Sequence, residues 1–112
     1  MIIMSQGAYA RYVSTLAPEG VLLIDEGMVE LSPNHRTDIT TCHIPATQIA
    51  EQAGSSRAAN TVMLGLWTGV VGAVSYAAMR QAVAESVPPK LVEMNLKVFD
   101  IGYQKGQEFA RE

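Results

Sequence analysis

The chain has 112 residues, of which 48% are hydrophobic and 17% charged, a composition that suits one modest globular domain. Its formal net charge of −3 and its lack of basic runs give no electrostatic reason to expect a nucleic acid or an anionic membrane as partner. Cys42 is the only cysteine, which excludes an internal disulfide and makes the cytoplasm the expected location. The apolar start stops after four residues and has no positive leader, so we expect no signal peptide.

Two continuous apolar runs, residues 1–4 and 21–24, predict buried parallel strands. A strand that is apolar at every position is covered on both faces, so we expect the first strand to lie inside a sheet. Because a domain seldom opens on such a strand, we expect the chain to be the C-terminal part of a larger α/β unit. Ser5 is expected to cap a helix over residues 6–16, and residues 18–20 are expected to turn the chain.

The segment that follows the second strand, residues 31–38, has the composition of a loop. Pro33 and Asn34 predict a turn there, and His35 and Arg36 are expected to form an exposed polar pair.

A third strand is predicted over residues 39–44, which are rich in β-branched side chains. Pro45 suits the first turn of a helix, so we expect a helix over residues 46–53 that Gly54 ends.

The longest apolar stretch, residues 60–86, has no charged side chain from Thr61 to Met79. A membrane span is one interpretation. The stretch is near the lower length limit for a span, where strong apolarity is needed, but it holds several glycines and hydroxyl side chains and is only mildly apolar. The close-packing spacing of Gly65 and Gly69 serves helices in lipid and tightly packed helices in water alike. We therefore expect a buried helical pair and no membrane partner.

A break is predicted inside this stretch. Gly72 ends a helix readily, and Ser75 accepts hydrogen bonds from the free N–H groups that begin the next one. The expected helices run over about residues 57–70 and 76–85.

The last helix is predicted over residues 90–110, after the breaker Pro88-Pro89. We expect its first half to be largely buried and the part after Gly102 to fray into a polar tail. Two apolar stripes carry the expected burial: Val92, Leu96, Phe99 and Tyr103, and Leu91, Met94, Val98 and Ile101. The order β-α-β-β-α-α-α-α predicts an α/β fold of three layers, with a mostly parallel sheet between flanking helices, as one domain over residues 1–112.

The sequence has none of the arrangements that announce catalysis: a nucleophile with a base, paired carboxylates, a metal cluster or a phosphate loop. Asp25 and Glu26 follow the second strand, where ligands collect in open α/β sheets, but a solvated turn is the simpler interpretation. Cys42 and His43 are adjacent on a strand and point to opposite faces, so they cannot easily bind one metal together. We expect Cys42 to act as a small buried hydrophobe and predict no metal site and no catalytic residue.

Five stretches in order resemble the gamma subunit, or gamma-type domain, of the 2-oxoacid:ferredoxin oxidoreductases. They are residues 1–9 (MIIMSQGAY), 16–25 (LAPEGVLLID), 44–50 (IPATQIA), 59–65 (ANTVMLG) and 88–95 (PPKLVEMN), the last together with Phe99 and Gly102-Tyr103. The resemblance covers nearly the whole chain.

This resemblance implies a subunit of an enzyme that oxidatively decarboxylates a 2-oxoacid, such as pyruvate or 2-ketoisovalerate, joins the acyl group to coenzyme A and passes electrons to ferredoxin. It implies that thiamine diphosphate and iron–sulfur clusters lie on partner alpha, beta and delta chains, so this chain itself binds none of them. The isolated chain is expected to be inactive.

The sequence departs from the family at its start. It lacks the family's glycine-rich Gly-x-Gly-Gly-Gln-Gly turn and its Arg-Gly-Gly segment, so we expect it to be the C-terminal portion of a gamma-type domain. Asn60 is the one candidate cofactor-binding residue, with a helix cap as the alternative. The other hypothesis for the chain is a non-catalytic interaction module, because half a sheet exposes a strand edge and an apolar face and should form a homo-oligomer when isolated.

Overall fold

A computed structural model describes residues 1–32 and 35–111 and has an α/β fold with one parallel sheet. The strands, in spatial order, are β1 (Ile2–Ile3), β2 (Val21–Asp25) and β3 (Thr40–Ile44). The predicted α/β class and the element order are confirmed. The predicted turn at Pro33 and Asn34 lies outside the described residues.

Within the described residues, five α-helices follow the predicted order, and three short 3₁₀ segments lie at their ends. They are α1 (Gln6–Tyr12), α2 (Ala46–Ala53), α3 (Ala59–Val71), α4 (Tyr76–Ser86) and α5 (Val92–Ala110). The residues predicted to cap or end helices do so at the expected positions. Ser5 caps α1 by accepting a hydrogen bond from the backbone of Ala8 at 3.2 Å, and Gly54 ends α2 with a φ of 133°. Gly72 ends α3 in the left-handed conformation, and Ser75 caps α4.

Strand β2 lies at the centre of the sheet and divides the core into two clusters. Leu22 and Ile24 belong to the cluster that includes Tyr9 of α1. Leu23 belongs to the cluster on the other face, with Val62 of α3. Because successive side chains of a strand point to opposite faces, α1 covers one face and helices α2, α3 and α5 cover the other. The sheet and the helices on its two faces form the three predicted layers.

Strand β1 lies at the edge of the sheet, which corrects one expectation. Ile3 is 3% exposed, but Ile2 is 39% exposed. The expectation that β1 lies inside the sheet is therefore wrong for the described residues, in which β2 alone pairs with it, and β1 is buried on the face of Ile3 and exposed on the face of Ile2.

Helices α3 and α5 pack through two pairs of glycines, Gly65 and Gly69 on α3 and Gly102 and Gly106 on α5. A Cβ added to Gly69 would lie 3.0 Å from the Cα of Gly106, and a Cβ added to Gly65 would overlap the carbonyl oxygen of Phe99. The helices run in the same direction, since later residues of α3 meet later residues of α5. The expected close approach at the α3 glycines is confirmed, and the α5 glycines complete it.

Helix α5 does not fray after Gly102 but continues to Ala110, so the predicted polar tail is wrong. Its buried stripe combines an amide, two apolar side chains and two glycines: Asn95, Val98, Phe99, Gly102 and Gly106. Only two residues of the expected apolar stripes are buried. The difference arises because glycines supply the contact surface in the second half of α5, and a search for apolar side chains does not count them.

We expect Gly65→Ala to lower the free energy of unfolding by about 1–3 kcal/mol, because the new methyl group overlaps the backbone of α5 and the two helices must separate. Urea unfolding followed by circular dichroism measures this. Gly7→Ala in α1 is the matched control, since no atom lies within 4 Å of its added Cβ. Equal unfolding free energies for the two variants would contradict the glycine contact.

Candidate functional site

A cleft of about 580 Å³ lies at the N-terminal ends of α3 and α5. Its volume falls within the range of roughly 300–1,000 Å³ that is usual for ligand pockets. Asn60 of α3 lines one wall, and Leu91 and Met94 line the wall at the start of α5. Val83 and Ser86, from the last turn of α4, close the third side.

A buried hydrogen bond holds the two first turns together beneath this cleft. The Thr61 hydroxyl donates to Oδ1 of Asn95 at 2.8 Å, and Nδ2 of Asn95 donates to the carbonyl oxygen of Leu91 at 2.9 Å. Thr61 and Asn95 are 9% and 5% exposed, so each would be costly to bury without its partner. The pair therefore sets the spacing of the cleft walls.

The structure places Asn60 at the second position of α3, with its side chain exposed in the cleft. The N-cap position of α3 is held by Ala58, so Asn60 is not the helix cap. Its amide forms no hydrogen bond to another residue within 1–32 and 35–111. The assignment of Asn60 as a cofactor contact stays a prediction, and the residue lines the cleft.

The cleft is positively charged. Arg57 and Lys90 line it, and none of its lining residues carries a carboxylate. Neither cation forms an ion pair with a residue that the structure describes. The N-terminal ends of two parallel helices add partial positive charge. Sequence reasoning found no role for these two side chains. The sequence did hold one signal that could have found them. Arg57 follows Ser55-Ser56 and Lys90 follows Pro88-Pro89, and both dipeptides are typical of the start of a helix.

The position of α4, and so of the third wall, depends on a polar cluster with α5. The Tyr76 hydroxyl donates to Oδ1 of Asp100 at 2.6 Å, and Arg80 donates to both carboxylate oxygens of Asp100 at 3.0 Å. The Tyr76 ring also packs against Tyr103, with ring centroids 4.5 Å apart. Partial burial alone would raise the pKa of Asp100, but the hydrogen bonds from Arg80 and Tyr76 outweigh it and hold that pKa below its ordinary value.

We expect Asp100→Asn to lower the free energy of unfolding near neutral pH by at most about 1 kcal/mol, because the side chain is 39% exposed and water screens the ion pair. The lowered pKa of Asp100 means that this contribution is present above the ordinary carboxyl pKa of about 3.9 and is lost as the pH falls through the lowered value. Urea unfolding at a series of pH values should show the difference between wild type and variant shrinking below about pH 4. Glu51→Gln, an exposed acid in no described ion pair, is the control. A difference that is constant down to about pH 3 would contradict this role of Asp100.

The carboxyl ends of the strands hold the other sequence candidates. Asp25 is fully buried, so the expected solvated turn is wrong for this residue. Its carboxylate accepts hydrogen bonds from the Thr47 hydroxyl at 2.5 Å, from the Thr47 backbone at 3.2 Å and from the Gly27 backbone at 3.2 Å. Asp25 thus ties the end of β2 to the first turn of α2, and its burial indicates a structural role.

Glu26 and His43 lie at the same edge of the sheet, 3.1 Å apart, in a cavity of about 220 Å³. The other charged residues of that cavity, Lys105 and Glu108, form a second pair at 3.7 Å. Each of these four side chains therefore has a partner, and the volume is below the usual range for ligands. The cleft at the starts of α3 and α5 is the better candidate site.

Cys42 is 2% exposed and belongs to the core cluster, while the side chain of His43 is 54% exposed. Their predicted placement on opposite faces of β3 is confirmed. Within residues 1–32 and 35–111, no three His, Cys, Asp or Glu side chains converge as metal ligands would. In the same part of the chain, every helix is too short or too polar to span a bilayer.

Arg36 is not the exposed partner of His35 that its loop position predicts. Its guanidinium donates to both carboxylate oxygens of Asp38, at 2.8 and 2.6 Å, and to the carbonyl oxygens of Val13 and Leu16. The side chain therefore anchors the loop to the segment after α1, which gives it a structural role.

Comparison with known proteins assigns the family. The sequence model of the pyruvate ferredoxin/flavodoxin oxidoreductase family matches residues 1–105. The chain belongs to this family. One curated relative, the 2-oxoglutarate synthase subunit KorC of Methanocaldococcus jannaschii, is 37% identical over 96% of this chain and 58% of its own length. Pyruvate synthase subunit PorC of Methanothermobacter marburgensis is 33% identical over 82% of this chain and 50% of its own length.

Solved structures of this family share the fold. The gamma subunit of a keto/oxoacid ferredoxin oxidoreductase from Geobacter sulfurreducens matches with a TM-score of 0.87 and 32% identity, over 96% of this chain and 63% of that one. A 2-oxoglutarate:ferredoxin oxidoreductase from Magnetococcus marinus matches with a TM-score of 0.81 and 20% identity, over 96% of this chain and 19% of that one; its structure holds 2-oxoglutarate, coenzyme A and succinyl-CoA. The predicted resemblance to gamma subunits is confirmed. The chain spans about three-fifths of the length of the KorC relative and the gamma subunit.

Proposed function

We propose that the chain is the gamma-type part of a 2-oxoacid:ferredoxin oxidoreductase complex, which converts a 2-oxoacid and coenzyme A to an acyl-coenzyme A and passes electrons to ferredoxin. The likeness to a solved gamma subunit, with a TM-score of 0.87, is the observation that carries this proposal. Residues 1–112 correspond, in this proposal, to the C-terminal portion of a gamma-type domain. The missing glycine-rich turn and the greater length of the relatives support that placement.

The chain contributes no redox or thiamine chemistry of its own in this proposal. An iron–sulfur cluster usually needs four cysteine ligands, and this chain has one cysteine. Thiamine diphosphate and the clusters therefore belong to alpha, beta and delta partners, and the isolated chain is inactive. Relatives named for 2-oxoglutarate and for pyruvate match at 37% and 33% identity, so the proposal names the class of 2-oxoacids and not one acid. The cytoplasm is the proposed location.

Coenzyme A is the ligand that we assign to the cleft, with Asn60 as a contact. The cleft has the volume of a ligand site, and Asn60, which lines it and is exposed, has an amide that can both donate and accept hydrogen bonds. Coenzyme A is also bound in a solved structure with the same fold, at 20% identity.

A non-catalytic interaction module is the second candidate, and the edge position of β1 favours it. The outer edge of β1 pairs with no described strand, and Met1 and Ile2 are 37% and 39% exposed. An open strand edge beside apolar side chains is a surface on which a second copy of the chain can pair.

Affinity purification of the chain from its own cell separates the two candidates. We expect recovery with partners that carry thiamine diphosphate and iron–sulfur clusters, detected by cofactor extraction and absorbance. Recovery as a homo-oligomer without such partners, established by sedimentation, would contradict the oxidoreductase proposal and favour the interaction module.

We expect Asn60→Ala in the assembled complex to raise the KM for coenzyme A about 2- to 10-fold, the loss of one hydrogen bond, and to leave the KM for the 2-oxoacid unchanged. Steady-state kinetics with each substrate varied in turn measure both values. Gln104→Ala is the matched control, because Gln104 is an exposed amide on α5 outside the cleft. An unchanged KM for coenzyme A would remove Asn60 from the site.

A further inference from the structure

A groove of about 410 Å³ lies between α2 and α5 and shares no lining residue with the cleft. Each wall is one stripe of residues spaced four apart, Pro45, Ile49 and Ala53 on the side of α2 and Lys97, Ile101 and Lys105 on α5. Residues at this spacing lie on the same face of a helix. The groove therefore follows α5 from Lys97 to Lys105, which is about 12 Å along the helix axis.

The groove is apolar in the middle and positively charged at both ends of its α5 wall. Ile49 and Ile101 are partly buried, whereas Lys97 and Lys105 are exposed. Lys97 forms no ion pair with a residue that the structure describes. Lys105 pairs with Glu108 at 3.7 Å, but both side chains are 53% exposed, so the pair is weak and the lysine can exchange its partner.

Acidic groups are absent from the described lining of this groove, although the formal net charge of the chain is −3. Beyond Lys105 the groove opens to the cavity of about 220 Å³, where Glu26 and Glu108 have partners already. The surface that lacks negative charge therefore ends at Lys105, and this limits the length of an occupant.

We propose that an acidic amphipathic helix of a partner chain docks in this groove. The proposal rests on the proposed function for the existence of partner chains and goes beyond it by naming the surface that meets one of them. A groove between two helices accepts the side-chain ridge of a third helix. Both walls are helical stripes, so an extended peptide would find no strand edge there to pair with.

The spacing of the lysines defines the pattern on the partner helix. An apolar side chain that packs between Ile49 and Ile101 would be flanked by two carboxylates about two turns apart, one for Lys97 and one for Lys105. Positions i, i+4 and i+7 of a helix form such a stripe. An anionic bilayer has the same two chemistries, but its flat surface does not fit a recess between two helices.

Carbodiimide cross-linking of the assembly that purifies with the full chain tests the proposal, because the reagent joins a lysine amine to a carboxylate in contact with it. We expect mass spectrometry to find Lys97 and Lys105 joined to two carboxylates of one partner segment, seven or eight residues apart. Lys90, which lies in the cleft, is the internal control and should not join that segment. Cross-links of Lys97 and Lys105 only within the chain or between its copies would overturn the proposal.

A synthetic peptide of the cross-linked segment then measures the contribution of each lysine by fluorescence anisotropy. We expect Lys97→Gln and Lys105→Gln each to weaken its binding to the full chain about 2- to 5-fold, since each removes one exposed ion pair. Arg11→Gln is the matched control, because Arg11 is an exposed cation of α1 on the other face of the sheet. Equal weakening by all three variants would contradict the assignment, since it would show an effect of overall charge.

The remaining outcomes separate this proposal from the proposed function. Partners that carry thiamine diphosphate and iron–sulfur clusters, without a cross-link at Lys97 or Lys105, would overturn the docking groove and leave the proposed function intact. Cross-links of the expected pattern to partners without these cofactors would support the groove and contradict the proposed function. Binding to phosphatidylglycerol vesicles that Lys97→Gln and Lys105→Gln abolish, without a partner cross-link, would overturn the proposal in favour of a membrane.

Discussion

The backbone contact between α3 and α5 is the constraint on which the site depends. Glycines on both helices remove the side chains that would hold the helix axes apart, so the two backbones meet directly. The helices are parallel, which places both first turns at the same end of the layer. Only at this short distance can the Thr61 hydroxyl reach Asn95, and this hydrogen bond aligns the two starts. The cleft is the space that remains beside them, closed by the end of α4.

Parallel packing also determines the electrostatics of the cleft. Two antiparallel helices would place a positive and a negative end side by side, whereas two parallel helices place two positive ends together. Arg57 and Lys90 precede these ends and add full charges to them. The acidic side chains at the carboxyl edge of the sheet have partners instead: Asp25 accepts hydrogen bonds from Thr47, and Glu26 contacts His43. The larger of the two clefts described above therefore lies beside the helical layer and not at the strand ends.

Local signals in the sequence predicted most element boundaries. Ser5, Gly54, Gly72 and Ser75 act through their own backbone or through neighbours a few residues away, so a single stretch contains the information. The order of the elements then led to the α/β class, and five short motifs led to the family.

Features that depend on distant residues were not predictable in this way. Buried Asp25 is partnered by Thr47, more than twenty residues later, and the glycines of α5 meet glycines of a helix more than thirty residues earlier. The exposure of β1 depends on which strands are its neighbours. Asn60 was proposed from its position at the start of a helix, but Arg57 and Lys90 line the same cleft only because α3 and α5 lie side by side.

The central claim is that the starts of α3 and α5 form the binding site for coenzyme A. Mapping of backbone amide chemical shifts by NMR, during titration of the full chain with coenzyme A, tests it most directly. The account predicts shifts that cluster at Arg57, Asn60, Lys90 and Asn95 and leave Glu26 and His43 unchanged. Shifts that cluster at Glu26 and His43, or the absence of any localised change, would contradict it.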